Sequence, residues 1–391
     1  MAEFEKVSQW FETGELVHPL SGRSIVDVSR ELVADTDKGI NVVFVLLDGF
    51  GLNLLENLDD CFLKRNFQHI ARSVFPATTA AALSSWGSGV YPSSHGITGW
   101  TMMGSDCLPF NPLVKECGKS DISFNCGFSS IWDKIDESRS FSFYRDSKFS
   151  KAMVGSRMKG KVVSADDVQE GLAEVAAFWK EDHDSGSFSY VYCKEPDALQ
   201  HQFGIHSEKV IERIKLIDSQ IANFWENQKK LNSNIPRKIV ISADHGQLNG
   251  RMVVIGEGGR MAQNDNNEEK LDGSVVDDCV DVRWRITGEA RTPIFWFNKQ
   301  FPCSSGIIEL LRMRIGETSS DWAFITPKEA EELELFGPAP YSEAPKFQLG
   351  HLIGITKSSD FLVVEPNKLI GMHGGARPEE MLVPVISALI Q

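Results

Sequence analysis

The chain has 391 residues, 42% of them hydrophobic, enough to bury a substantial core and to form either two domains or one large domain with an inserted lobe. Its 54 Asp and Glu against 40 Lys and Arg leave a formal net charge of −14, which argues against a sequence-independent grip on a nucleic-acid polymer or on an anionic membrane. A small substrate, neutralised locally, fits this balance better.

The first residues, Met1-Ala-Glu-Phe-Glu-Lys, are amphipathic and acidic, without the basic start and continuous apolar segment of a secretory signal, and no later run approaches membrane-spanning length. A soluble, cytoplasmic protein with no membrane partner is expected. The seven Cys are scattered and form no C-x-x-C, so neither a disulfide framework nor a thiolate metal cage is signalled.

In chain order, the apolar run Val42–Leu47 reads as a buried strand and ends in Asp48-Gly49. The stretch from Ser73 to Gly96 follows, containing Phe75-Pro-Ala-Thr78-Thr79-Ala80-Ala81-Ala82 and Tyr91-Pro-Ser-Ser-His95-Gly96. It places a threonine hydroxyl, from Thr78 or Thr79, at the mouth of a helix. His95 is assigned to structure around the end of that helix.

Residues Thr101 to Arg157 read as one insertion. Within it, Cys107-Leu-Pro109 resembles the sulfatase maturation motif, but Asn111 stands where that motif has arginine, and the reading is excluded. Gly155 to Val162 matches a Walker A loop except at Val162, where Ser or Thr is needed, and is read as a basic surface loop.

Further along, Ala165–Trp179 and Ser207–Gln228 carry helical spacing, while Phe188–Tyr192, Lys238–Ser242, Thr292–Phe297 and Phe361–Val364 read as strands. Alternating strands and helices imply an α/β fold with a mostly parallel central sheet covered by helices on both faces. Residues 1–250 and 355–391 are assigned to this core. Residues 251–354 are too long for a structureless loop and read as an inserted smaller lobe on the substrate side.

In such folds ligands collect at the carboxyl ends of the strands. Asp48, Asp197 and Asp244 each lie just beyond a strand end. Asp197 and His201 stand at i and i+4, on one face of a helical turn, where a single cation can bind both. Asp244-His245-Gly246 puts a carboxylate and an imidazole side by side at a buried position, and His373 is followed by two glycines that permit close backbone approach. His206 reads as a surface residue. Mixed Asp and His ligands favour a borderline cation such as zinc, with manganese or iron able to occupy the same shell.

Taken together, Asp48-Gly, Phe-Pro-Ala-Thr-Thr79, Tyr91-Pro-x-x-His95-Gly, Asp197-x-x-x-His201, Asp244-His245-Gly and His373-Gly resemble the alkaline phosphatase superfamily, and within it the type I phosphodiesterase/nucleotide pyrophosphatase family. The resemblance implies two divalent metal ions, most simply Zn2+. One would be held by Asp197, His201 and His373, the other by Asp48, Asp244 and His245 with the nucleophile's oxygen. The family's spacing selects Thr79 over Thr78 as that nucleophile.

The resemblance further implies hydrolysis of small phosphate esters through a covalent phospho-threonine. A phosphomonoesterase using the same site is the alternative, and a non-catalytic metal- or nucleotide-binding relative is a third reading. Two departures stand out: Ala80 replaces the family's base-stacking Phe, and Ala82 replaces the Asn that steadies a phosphate oxygen. Backbone N–H groups at the start of the helix are the expected substitute donors. Arg291 and Arg377 are candidate anion contacts, with a structural role as the alternative.

Overall fold

The computed structural model describes residues 2–113, 135–136, 139–144, 161–164, 167–180, 186–231, 233–262, 279–298 and 304–391. Residues 155–160 of the Walker-like stretch, and much of the Thr101–Arg157 insertion, lie outside them.

The central sheet begins with β1 (Asn41–Leu47), β2 (Phe67–Arg72), β3 (Ser140–Tyr144), β4 (Lys161–Ser164), β5 (Phe188–Cys193) and β6 (Arg237–Ser242). A second sheet follows, made of β7 (Gly258–Ala262), β8 (Cys279–Gly288), β9 (Pro293–Phe297), β10 (Trp322–Ile325) and β11 (Leu352–Thr356). The final strand, β12 (Leu382–Ile390), returns to the central sheet, whose order is β2-β12-β6-β1-β5-β3-β4.

Around β1 the sheet is parallel, β1 pairing with β5 and β6, and β3 with β4 and β5. The exception is β12, antiparallel to both β6 and β2, so the sheet is mixed. Every residue of β1, Asn-Val-Val-Phe-Val-Leu-Leu, is buried, as expected of a strand covered on both faces. The pairs Leu47↔Cys193 and Leu46↔Ser242 bring the carboxyl ends of β1, β5 and β6 level with one another. That alignment sets three chain segments side by side at one rim.

Helices α1 (Glu3–Glu12), α2 (Ile25–Asp37), α3 (Thr79–Ser88), α4 (Val168–Phe178), α5 (Asp197–Phe203) and α6 (Glu208–Lys229) complete the parts needed here. One apolar cluster runs from α2 and α3 through β1, β5 and β6 to α4 and α6. Trp86 of α3 illustrates the fit: its ring lies 4.5 Å from that of Phe44, and its indole N–H donates to the Ala243 carbonyl. Among the described residues no helix is long and apolar enough to cross a membrane.

The strand expected in the core over Phe361–Val364 lies outside the central sheet, and the one expected within 251–354 belongs to the second sheet. Pro293–Phe297 is β9 of the second sheet, paired antiparallel with β8 and β11. Asp360–Val363 pairs in parallel with Arg251–Val254 as a separate ribbon. Apolar periodicity identifies a strand but not its partner. The second sheet, antiparallel throughout in the order β7-β8-β9-β11-β10, also receives the N-terminal helix: Lys6 Nζ donates to the Trp322 carbonyl and Glu3 accepts from the Phe324 N–H.

The turn joining β8 to β9 is tied to the central sheet through Arg291. Its guanidinium is fully buried and grips Glu380 with two bonds of 2.7 and 2.9 Å, while also donating to the Asp360 and Ser358 carbonyls. Arg291 therefore serves the fold and is no anion contact. Arg377 is similarly engaged, by Glu379 and the Lys357 carbonyl. Removing the partner of a buried charge leaves it uncompensated, so Glu380→Ala should lower unfolding free energy by about 3–5 kcal/mol, measured by urea denaturation against the parent.

Candidate metal centre

Beyond the level ends of β1, β5 and β6, the chain turns at Asp48, Asp197 and Asp244. The β1 ladder extends one step, with the Asp48 N–H bonded to the Cys193 carbonyl at 2.9 Å, and the Asp197 N–H then bonds the Asp48 carbonyl at the same distance. Gly49 follows with φ of +73°, and an added Cβ there would lie 2.9 Å from Asp197 Cβ. Glycine is required both for that dihedral and for that approach. The i, i+4 pair lies on α5 as its spacing predicts, with His201 Nε2 3.4 Å from Asp197 Oδ1.

Thr79 opens α3, and its Oγ1 lies 3.1 Å from His245 Nε2 and 3.5 Å from Asp48 Oδ1. Asp244 Oδ2 is 3.3 Å from the same His245 nitrogen, and His373 Nε2 is 3.7 Å from Asp197 Oδ1. The His245 and His373 rings stack at 3.8 Å. All seven residues singled out by sequence thus meet in one place. Thr78, the other candidate, is buried, and its hydroxyl makes no hydrogen bond to any of these seven residues.

Among the described residues, two triads each hold their possible ligand atoms within 4.8 Å of one another: Asp197, His201 and His373, and Asp48, Asp197 and His245. The first coincides with the set implied by family resemblance. In the second, Asp197 appears where the resemblance puts Asp244; Asp244 Oδ1 accepts the Gly49 and His245 N–H groups, while its Oδ2 lies 3.3 Å from His245 Nε2.

The donor set fits cations. All three histidines hold Nδ1 against a backbone carbonyl: His201 against Gly371 at 2.6 Å, His373 against Ala77 at 3.1 Å and His245 against Gly246 at 3.1 Å. A proton on Nδ1 leaves each Nε2 lone pair facing the cluster, the arrangement usual for a ligating imidazole. Asp244 Oδ2 is buried with no hydrogen-bond donor, which is costly for a carboxylate unless a cation meets it. Burial, then the Asp244 and Asp197 carboxylates, push Asp48 well above the usual carboxylate range, and burial raises Asp197 as well. Burial, then His245, holds His373 well below the usual imidazole value. Burial dominates each shift, with neighbouring carboxylates adding to it at Asp48 and neighbouring imidazoles adding to it at His373.

Sequence reasoning missed three neighbours. Tyr192 donates its hydroxyl to Asp48 Oδ2, and Gln247 its amide to Asp197 Oδ1. Glu289, in the turn between β8 and β9, accepts the Trp100 N–H at 2.6 Å and is pushed up to about 7, chiefly by burial. Tyr192 was findable as the end of a strand five residues before Asp197; nothing in the sequence marks Glu289. His95, by contrast, is where it was expected, its Nε2 2.9 Å from Ser85 Oγ on α3, and His206 is exposed.

Ala80 and Ala82 are both fully buried. Ala80 packs against Ile97, Met102 and Leu113, and Ala82 belongs to the core under the central sheet. Neither position faces solvent at the centre.

Fold and site together define an α/β protein with a paired Asp/His cluster around a threonine at the rim of its central sheet. Residues 42–257, more than half of the chain, match the family described as type I phosphodiesterase/nucleotide pyrophosphatase, and the chain belongs to that family. Similar solved structures include human ectonucleotide pyrophosphatase/phosphodiesterase 5, at 14% identity and a TM-score of 0.61, covering 89% of this chain and 87% of that one. The murine counterpart is similar at 15% identity and a TM-score of 0.60, covering 88% and 87%. An inactive form of the murine protein in complex with AMP gives 14%, 0.61, 88% and 87%. No curated protein matches the chain in sequence.

Tyr192 fixes one oxygen of Asp48 and leaves the other to the cluster. Tyr192→Phe should therefore weaken zinc binding about tenfold or more, read by competition with a chromophoric chelator.

Proposed function

We propose that the protein is a divalent-metal-dependent hydrolase of small phosphodiesters or pyrophosphates, working through a covalent intermediate on Thr79. The observation that carries this reading is the convergence of a helix-opening hydroxyl with three carboxylates and three Nε2 atoms. One ion would be held by Asp197, His201 and His373, the other by Asp48, Asp244, His245 and Thr79. Zinc suits these donors best. Divalent ions bound there supply charge that lowers the pKa of a hydroxyl and offsets negative charge on phosphoryl oxygens.

The chain's own residues do the rest. Thr79 Oγ1 lies 3.1 Å from His245 Nε2 and 3.5 Å from Asp48 Oδ1, which places the hydroxyl among the donors that would hold the second ion. Thr79 Oγ1 bonds to phosphorus as the bond to the leaving oxygen breaks, and the hydroxyl proton ends on the departing alcohol. Water then attacks from the opposite side, breaking the Oγ1–phosphorus bond and restoring the hydroxyl. The first turn of α3 has no side-chain cap, so its N–H groups can receive a phosphoryl oxygen in place of the amide absent at Ala82. The AMP complex of the murine relative supports nucleotide-containing esters among the substrates.

Hydrolysis of bis-p-nitrophenyl phosphate by the zinc-loaded protein tests the reading. Thr79→Ala should reduce turnover about a thousandfold or more while retaining bound zinc by elemental analysis. Chelation should abolish activity, and Asp244→Ala should lose both metal and activity. Full turnover in the Thr79 variant would refute the nucleophile assignment.

A further inference from the structure

Among the described residues, Glu289 is an acidic side chain that the second sheet sends toward the centre. It stands at the tip of the β8–β9 turn, where its N–H and carbonyl both bond Thr292, and Thr292 Oγ1 donates to the Gly374 carbonyl at 2.6 Å. The Glu289 side chain lies directly over Gly374, the residue after His373. An added Cβ on Gly374 would sit 2.6 Å from Glu289 Cβ and Cγ, and Gly374 has φ of +100°, so only glycine admits this placement. The carboxylate is held by the Trp100 N–H, stands close to the Thr78 side chain beside the nucleophile, and is near enough to feel the charges of His245 and Asp197.

The charge balance gives that carboxylate a role. Two divalent cations would balance Asp48, Asp197, Asp244 and a Thr79 alkoxide, leaving no positive surplus. Arg291, whose charge reaches His373, is already neutralised by Glu380. A further carboxylate beside Thr78, within reach of the charges of His245 and Asp197, makes the site electrostatically unfavourable to a second substrate charge.

We infer that Glu289 is a specificity-determining residue, whose carboxylate disfavours dianionic phosphomonoesters and so leaves monoanionic phosphodiesters as the preferred substrates. The inference rests on the proposed metal-dependent site and deepens it by fixing the charge state of the substrate.

The test uses the full-length, zinc-loaded protein and Glu289→Gln, which keeps the shape and the oxygen that accepts Trp100 N–H. Calorimetric titrations with methyl phosphate, a dianion above its second pKa of about 6, and with dimethyl phosphate, a monoanion, are run at about pH 8.5, above the Glu289 pKa of about 7. Glu289→Gln should tighten methyl phosphate about tenfold or more and change dimethyl phosphate by less than about threefold. The ratio of kcat/KM for p-nitrophenyl phosphate over its bis ester should rise by a similar factor.

Glu289→Asp, which keeps the charge, should retain the parental preference. Equal changes for both ligands in Glu289→Gln, no change in either, or a Glu289→Asp variant that behaves like Glu289→Gln would overturn the inference. Should the parent hydrolyse neither ester, the proposed catalysis fails, while the two titrations still decide whether Glu289 sorts ligands by charge.

Discussion

Three carboxylates held together out of water are the constraint around which this molecule is arranged. Asp48, Asp197 and Asp244 come from neighbouring strand ends, and each repels the others across a site of low polarity. The surroundings counter this with donors aimed at single oxygens: Tyr192 on Asp48, Gln247 on Asp197, and the Gly49 and His245 N–H groups on Asp244. What those donors leave open points inward, and a divalent cation is the partner that turns the repulsion into binding.

The same geometry positions the Thr79 hydroxyl without a dedicated scaffold. Thr79 is the first residue of α3, and α3 is fixed by Trp86 against β1 and by small residues, Ala80, Ala81 and Ala82, buried on its sides. The alanines that replace the family's Phe and Asn are thus parts of the packing that holds the helix mouth in place. Chemistry at the rim and packing beneath it are served by one ten-residue element.

Much of the site was legible because its residues sit in local patterns with a physical reason. A buried strand followed by Asp, an i, i+4 Asp/His pair and an adjacent Asp-His together mark candidate ligands before any fold is known, and the structure brings these residues to one place. The architecture was less legible. β2 is amphipathic and largely exposed, so it gave no buried-strand signal, and β12 runs against its neighbours, a property that no single strand's pattern encodes. Phe361–Val364 reads as a strand of the core, but the strand there, Asp360–Val363, pairs with Arg251–Val254 in a separate ribbon, since pairing is decided by tertiary contacts that apolar periodicity does not encode. Glu289 and Arg291 show the limit most clearly: two residues apart in one turn, one reaches the centre and the other is consumed by a buried ion pair, and charge alone does not separate them.

The β8–β9 turn joins the second sheet to the residue after His373 through Thr292, Glu289 and the Arg291–Glu380 pair. The two sheets therefore share an anchor at the very loop that carries an imidazole of the cluster. Swinging the second sheet outward would drag that imidazole with it and dismantle the cluster. The second sheet and the His373 loop are accordingly constrained to one relative placement, and the spacing of the cluster depends on it.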